Sequence, residues 1–228
     1  MSLKAQLEAH RRDFEANADP ALVMAVRASI RHLSEAGITS NAVKAGGIAP
    51  TFRLRDERGN FVALADLLAR GPAALSFFRG EWCPYCALQL TALAEVAPDA
   101  ERLGATLVAL SPHARERSSP LGRNGKPAVL ILRDPGAEIA LQYRIAFMVP
   151  RQFRAPYLAL GLPMPAKRRS KSWLVPIPAT YVIDTSGLIV LSYLDTNHTN
   201  RPEPAEIIRA LAQVAKASGR AIPGRNNR

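Results

Sequence analysis

Cys83 and Cys86 are the only cysteines among 228 residues, and they stand three positions apart in Trp82-Cys83-Pro84-Tyr85-Cys86. Two thiols at that spacing can exchange with a disulfide or peroxide, bind a metal as paired thiolates, or lie buried as small apolar side chains. In the first case one thiolate attacks and the other closes an intramolecular disulfide. A structural zinc site wants four ligands, and neither His113 nor His198 sits at finger-like spacing from the pair. No metal and no cofactor are therefore expected. Redox chemistry is the leading reading for a cysteine pair beside a strand–helix–strand pattern.

The flanking residues say how such a pair would be held. Ala73 to Phe78 is an apolar run that reads as a buried strand, and the pattern from Pro84 onward reads as a helix. Cys83 then falls at the N-cap, Pro84 at the first helical position, and Cys86 one turn inside. Unpaired N–H groups and the positive end of the helix dipole stabilise a thiolate there, so Cys83 is expected to be the attacking group. Cys86, Leu90, Leu93 and Ala97 share one face, Pro98 should break the helix, and Gly104 ends it.

Around this joint the chain reads as one layered α/β domain with extensions. Residues 1–44 are an N-terminal helical extension, with Ser2 capping a helix striped by Leu3, Leu7, His10 and Phe14. Asp19-Pro20 starts a second helix, striped by Leu22, Val26, Ile30 and Leu33 and stopped by Gly37. Periodicity does not choose between packing of this hairpin on the main domain and packing on a second subunit. His10 and His32 read as surface or core filler. The main domain spans 45–218. Apolar runs at 105–110 and 128–132 alternate with helices, which implies parallel pairing with 73–78. A hairpin at 179–193 and a helix at 202–217 follow. A Pro- and Arg-rich interval at about 146–175 is longer than an ordinary connection, either an insertion over the active site or a flexible excursion. Residues 219–228 form a basic tail.

The formal net charge is +11, yet it is unevenly spread. No acidic residue lies between Glu138 and Asp184, an interval holding Arg144, Arg151, Arg154, Lys167, Arg168, Arg169 and Lys171. A local basic surface fits better than a nucleic-acid-binding protein, for which no zinc-finger or RRM signature exists. The first twenty residues lack an apolar signal-peptide core, and no run approaches the ~18 apolar residues of a membrane span. A soluble cytoplasmic protein is expected, with its thiols reduced at rest.

These residues carry a family resemblance. Trp82-Cys83-Pro84-Tyr85-Cys86 after an apolar strand resembles the active site of thioredoxin-fold proteins, and Cys-Pro-Tyr-Cys is the tetrapeptide typical of glutaredoxins. Gly47-Ile48-Ala49-Pro50-Thr51-Phe52-Arg53-Leu54 with Gly59 resembles the N-terminal signature of peroxiredoxins of the alkyl hydroperoxide reductase/thiol-specific antioxidant type. Phe77 to Cys86, with Pro178 to Gly187, is similar to peroxiredoxin-like proteins that carry a Cys-x-x-Cys motif. The resemblance covers about Ala45 to Leu211. It implies a thioredoxin-like fold, a central mixed sheet with helices on both faces, and a thiol-dependent oxidoreductase with antioxidant activity. It also implies a disulfide or hydroperoxide substrate and a thioredoxin- or glutathione-type reductant, with a homodimer as a further expectation.

Within that resemblance two registers overlap. In the thioredoxin register Cys83 attacks a disulfide and Cys86 resolves it; Trp82, Pro84 and Tyr85 flank the substrate; and Pro178 matches the cis-proline that faces the cysteines, with Ile177 offering its backbone to a substrate strand. In the peroxiredoxin register Cys86 attacks peroxide and Cys83, in place of the usual Thr, resolves it. Arg79 then replaces the usual Pro, and Pro178 stands where the family has its active-site Arg, leaving no group assigned to orient peroxide. Phe77 occupies the position of the buried thioredoxin Asp. The thioredoxin register is thus the first expectation, the peroxidase the alternative. A non-enzymatic redox-sensing or binding module using the basic 144–171 stretch is a third, of another class.

Overall fold

Ala73–Phe77 (β3) is buried along its whole length because both of its faces are covered, and it is an interior strand of a seven-stranded sheet. The computed structural model describes residues 1–113, 128–163, 173–217 and 219. The other strands of this sheet are β1 (Arg53–Asp56), β2 (Phe61–Ala63), β4 (Thr106–Ser111), β5 (Leu130–Arg133), β8 (Ala179–Ile183) and β9 (Ile189–Leu194), in the order β2-β1-β5-β4-β3-β8-β9. β3, β4 and β5 are parallel, as the alternating apolar runs predict, while β1, β2, β8 and β9 pair antiparallel.

Alternate residues of β3 feed two cores. Ala73, Leu75 and Phe77 join a cluster with Val108, Leu110, Tyr143 and Tyr181 on one face. There α3 (Leu64–Leu68) and α6 (Glu138–Gln142) contribute Leu67 and Ala140. On the other face Ala74 and Phe78 join Ile131, Val182, Leu211 and both cysteines. That face is covered by α4 (Pro84–Glu95), α5 (Ala97–Arg102) and α8 (Pro204–Ala217). The helix after the cysteines breaks at Val96, just before Pro98, as expected.

The N-terminal hairpin is α1 (Leu3–Asn17), capped by Ser2, and α2 (Pro20–Glu35), capped by Asp19. Leu3 and Leu7 are buried in the same cluster as Cys83 and Cys86, so α1 packs on the chain's own cysteine helix. The stripe of α2 is turned by about one residue from the expected one: Val23, Ser29 and Leu33 are buried, while Val26 is half-buried.

The described residues of the 146–175 interval hold regular elements. β6 (Ala146–Met148) pairs with β7 (Leu174–Pro176) in a small antiparallel sheet, with α7 (Arg154–Ala159) between them. Tyr157 of α7 packs against Trp82, with ring centroids 6.2 Å apart, and shares a 3.2 Å hydroxyl hydrogen bond with Ser29 of α2. This segment therefore packs beside the cysteine pair, with Tyr157 on Trp82 and Leu160 next to Cys83 in one cleft. Lys167, Arg168, Arg169 and Lys171 lie outside the described residues, as does the tail beyond Gly219.

Candidate active site

Cys83 caps α4 in an extended conformation, and Pro84 follows at a position where no N–H is needed. The Cys83 carbonyl accepts from the N–H groups of Cys86 at 3.0 Å and Ala87 at 3.2 Å. That turn brings the two sulfurs together: the Cys83 thiol hydrogen-bonds the Cys86 sulfur, and both cysteines stand as free thiols only 0% and 1% exposed.

Burial disfavours a charged sulfur, and it pushes Cys83 well above the usual thiol range, helped by the hydrogen bond to Cys86. Burial opposes the charge on Cys86 too, but the opposing groups win there. The hydrogen bond from Cys83, the Arg201 guanidinium, and the backbone N–H and guanidinium of Arg79 bring Cys86 down to about 5. At neutral pH the pair thus holds one proton, on Cys83, and one negative charge, on Cys86.

Arg201 lies in the loop between β9 and α8 and is 8% exposed. Its Nη2 donates to Cys86 Sγ at 3.6 Å and its Nε to Gln89 Oε1 at 2.8 Å, while Nη1 donates to the carbonyls of His198 and Asn200. Gln89 in turn donates to Thr180 Oγ1 at 3.4 Å, and Thr180 meets Ser76 Oγ at 3.4 Å. A buried polar chain therefore runs from the centre of the sheet to the thiolate, each member aligned by the next.

Arg79, in the loop after β3, is 2% exposed and also reaches the pair. It hydrogen-bonds Cys83, and its guanidinium lies 4.6 Å from the Trp82 ring and 5.0 Å from the Tyr157 ring. Trp82 is fixed by its own indole N–H, which donates to the Arg79 carbonyl at 3.1 Å. Gly80 makes this packing feasible: its φ is +138°, and a Cβ there would fall 2.5 Å from Trp82 Nε1.

Tyr85 is buried between His10 and His198, both edge-on at 4.9 and 5.5 Å. Burial and the nearby Cys83 push its hydroxyl up to about 12. His198 is held well below its ordinary range by burial and by the two arginines, so it is neutral. Phe77 packs against Tyr143 and Tyr181 at 4.9 and 6.0 Å, so the thioredoxin acid position holds no proton acceptor.

Ile177 and Pro178 reach the site but not in the expected form. The described residues contain no cis peptide bond, so Ile177–Pro178 is trans rather than a cis-proline. The Ile177 N–H donates to the Ile145 carbonyl at 2.7 Å, because β6 runs alongside and claims it, and no edge N–H is left there for a substrate strand. Both residues line a small cleft with Arg79, Tyr157 and His198.

Arg201 and Gln89 escaped the sequence reading, while His10 reads there as filler and His198 only as a rejected metal ligand; both flank Tyr85. Gln89 carried a weak signal, as a polar side chain on the Cys86–Leu90–Leu93 face. Arg201 carried none, since a loop 115 residues beyond Cys86 reaches it only through the fold. Among the described residues no three or more His, Cys, Asp or Glu side chains converge on a metal position.

A Cys-x-x-Cys helix beside the central strand of a thioredoxin-like mixed sheet defines a thiol-dependent oxidoreductase. Within that class the chain belongs to the AhpC/TSA family, which residues 45–192 match. The fold is shared with peroxidoxin BcpB from Mycobacterium tuberculosis (18% identity, TM-score 0.52, covering 75% of this chain and 98% of that one). The reduced 2-Cys peroxiredoxin of Plasmodium vivax is similar too (16%, TM-score 0.55, 82% and 90%), as is the yeast mitochondrial 1-Cys peroxiredoxin (16%, TM-score 0.53, 82% and 83%). No curated protein matches the sequence.

Proposed function

We propose that this protein is a thiol peroxidase in which Cys86 attacks and Cys83 resolves. The observation that carries the reading is the Arg201 contact to Cys86 at 3.6 Å, which stabilises a thiolate one turn inside the helix rather than at its cap. Burial supports it as well. With both cysteines at most 1% exposed, a small hydroperoxide is a better fit to the site than the disulfide of a folded protein.

In this reaction the Cys86 thiolate attacks the terminal oxygen of R–O–O–H, the O–O bond breaks, and the alkoxide leaves to be protonated as R–OH. Cys86 becomes a sulfenic acid. Cys83, losing its proton, then attacks that sulfur, the S–O bond breaks, and water leaves with formation of a Cys83–Cys86 disulfide. An external dithiol or two thiols reduce it again. The yeast mitochondrial 1-Cys peroxiredoxin is resolved via glutathione/thioredoxin systems, and a reductant of that type is the one we assign here. A reducing compartment such as the cytoplasm follows from this cycle; no helix among the described residues is long and apolar enough to cross a membrane.

Stopped-flow fluorescence of the reduced protein mixed with tert-butyl hydroperoxide or hydrogen peroxide tests the reading. Oxidation well faster than that of free cysteine is expected, with Cys86→Ser unreactive and Cys83→Ser halting at a sulfenic acid on Cys86 that dimedone traps. A rate equal to that of free cysteine overturns it. A second reading, disulfide exchange with Cys83 attacking, is favoured by one observation: Cys83, not Cys86, lines the cleft beside Trp82 and Tyr85. It requires that Cys86→Ser trap a mixed disulfide through Cys83.

A further inference from the structure

Two buried guanidiniums face the cysteine pair, and no carboxylate is paired with either. Arg201 uses its donors on Gln89, the carbonyls of His198 and Asn200, and Cys86 Sγ. Glu8, Glu203 and Glu206 line a separate cleft with it, but among the described residues neither Arg201 nor Arg79 forms a salt bridge with a carboxylate. The groups that raise Arg79 are Tyr157, Cys83 and Cys86. His10, Tyr85 and His198 line the cleft beside Cys83, and none of them is a carboxylate. The two cations therefore share one negative charge, held by the sulfurs as a pair.

The arginines divide unequally between the two sulfurs. Arg201 meets Cys86, the sulfur that carries the charge at rest. Arg79 gives its backbone N–H to Cys86 but hydrogen-bonds Cys83, the neutral sulfur, through its side chain. Its Nη2 is buried among the described residues with no hydrogen-bond partner. A guanidinium hydrogen bond is strongest on an anion, and an unpaired buried donor costs free energy. The reduced pair thus leaves Arg79 underused, whereas a thiolate at Cys83 engages it as an ion pair. The Trp82 and Tyr157 rings, 4.6 and 5.0 Å away, hold it in place for that state.

We propose that Arg79 is the catalytic group of the resolving step, holding Cys83 as the thiolate that attacks oxidised Cys86. The order of events rests on the peroxidase reading. The alkoxide departing from the hydroperoxide takes the Cys83 proton and leaves as R–OH, so the negative charge passes from Cys86, now a sulfenic acid, to Cys83. Cys83 Sγ then bonds to Cys86 Sγ, the S–O bond breaks, and hydroxide leaves to be protonated by solvent as water. The pair has lost two electrons and the hydroperoxide has gained them. Oxidation of Cys86 itself thus switches Cys83 on, and Cys83 stays protonated until then.

Iodoacetamide alkylation against pH, read by mass spectrometry on single-thiol variants, tests this charge transfer without any peroxide. Cys86→Ser sets a neutral hydroxyl beside Cys83, as the sulfenic acid does, and a Cys83 midpoint of about 7.5 or below is expected. Cys86→Asp keeps an anion there and should hold the midpoint above the ordinary thiol value of about 8.5. Arg79→Gln added to Cys86→Ser should raise the midpoint by about one pH unit or more, with partial return in Arg79→Lys. A midpoint at or above about 8.5 in Cys86→Ser, or one that Arg79→Gln leaves in place, overturns the inference. The wild-type protein supplies a test that needs no variant. After peroxide is mixed in, the second phase of tryptophan fluorescence should keep one rate from about pH 6 to about pH 8.5, and a rise of about tenfold per pH unit overturns the inference. Failure of the peroxidase reading shows separately, as a first phase no faster than free cysteine in a protein whose alkylation midpoints are as expected.

Discussion

Gln89 Oε1 accepts the Nε hydrogen of Arg201 at 2.8 Å, and the same guanidinium donates to Cys86 Sγ at 3.6 Å. One amide on the cysteine helix thus holds the cation that faces the cysteine one turn earlier. Gln89 touches no reacting atom, and it acts by positioning Arg201. Gln89→Leu should leave the helix intact but loosen the guanidinium, and Arg201→Met should remove its charge. The pH profile of iodoacetamide alkylation, half-maximal near the Cys86 value of about 5, should move upward in both. The move should reach about one pH unit or more for Arg201→Met, with partial return in Arg201→Lys. An unchanged profile in Arg201→Met would mean that the thiolate is stabilised by other groups.

Stability should follow the same group. Cys86 is depressed in the folded state relative to an ordinary thiol near 8.5, so the folded protein binds fewer protons than the unfolded chain between those values. Its contribution is therefore fully present above about pH 8.5 and lost progressively as pH falls toward about 5. Cys83, raised instead, acts only above its unfolded value, where the sign reverses. Urea unfolding of the reduced protein should show a steeper rise in stability from pH 5.5 to 8 than the same series in Cys86→Ser.

Gly80 is required by shape. A methyl group there meets Trp82 Nε1 at 2.5 Å and must also accept a φ of +138°. Gly80→Ala should displace the indole from the Arg79 carbonyl, red-shift Trp82 emission as it meets water, and slow peroxide oxidation. Unaltered emission would show that the loop relaxes instead.

The N-terminal helix should matter for the site as well as for the fold. Leu7 is 4% exposed in the cluster that contains both cysteines. Leu7→Ala should cost about 2–4 kcal/mol in urea unfolding, the usual price of a core leucine. Labelling of the cysteines by a bulky maleimide should speed up with it, because α1 packs in the cluster that buries both cysteines.

Much of this was legible because it depends on local chemistry. Ser2 and Asp19 cap their helices through their own side chains, Pro98 breaks α4 through its missing N–H, and a run apolar but for Ser76 marks β3 as buried on both faces. Pro178 misled for the complementary reason. Its neighbours in sequence match a cis-proline motif, but the Ile177 N–H is taken by the carbonyl of Ile145, the residue that leads into β6.

By itself the amino-acid order determined the α/β layering, the strand–helix joint and the place of two thiols at its start, since helix caps, proline and periodicity act over a few residues. Which sulfur carries the charge was decided only by the tertiary structure. Arg79 and Arg201 reach the pair from two loops far apart in sequence, and the electrostatic energy of a buried thiolate depends on distances in space that spacing along the chain does not encode.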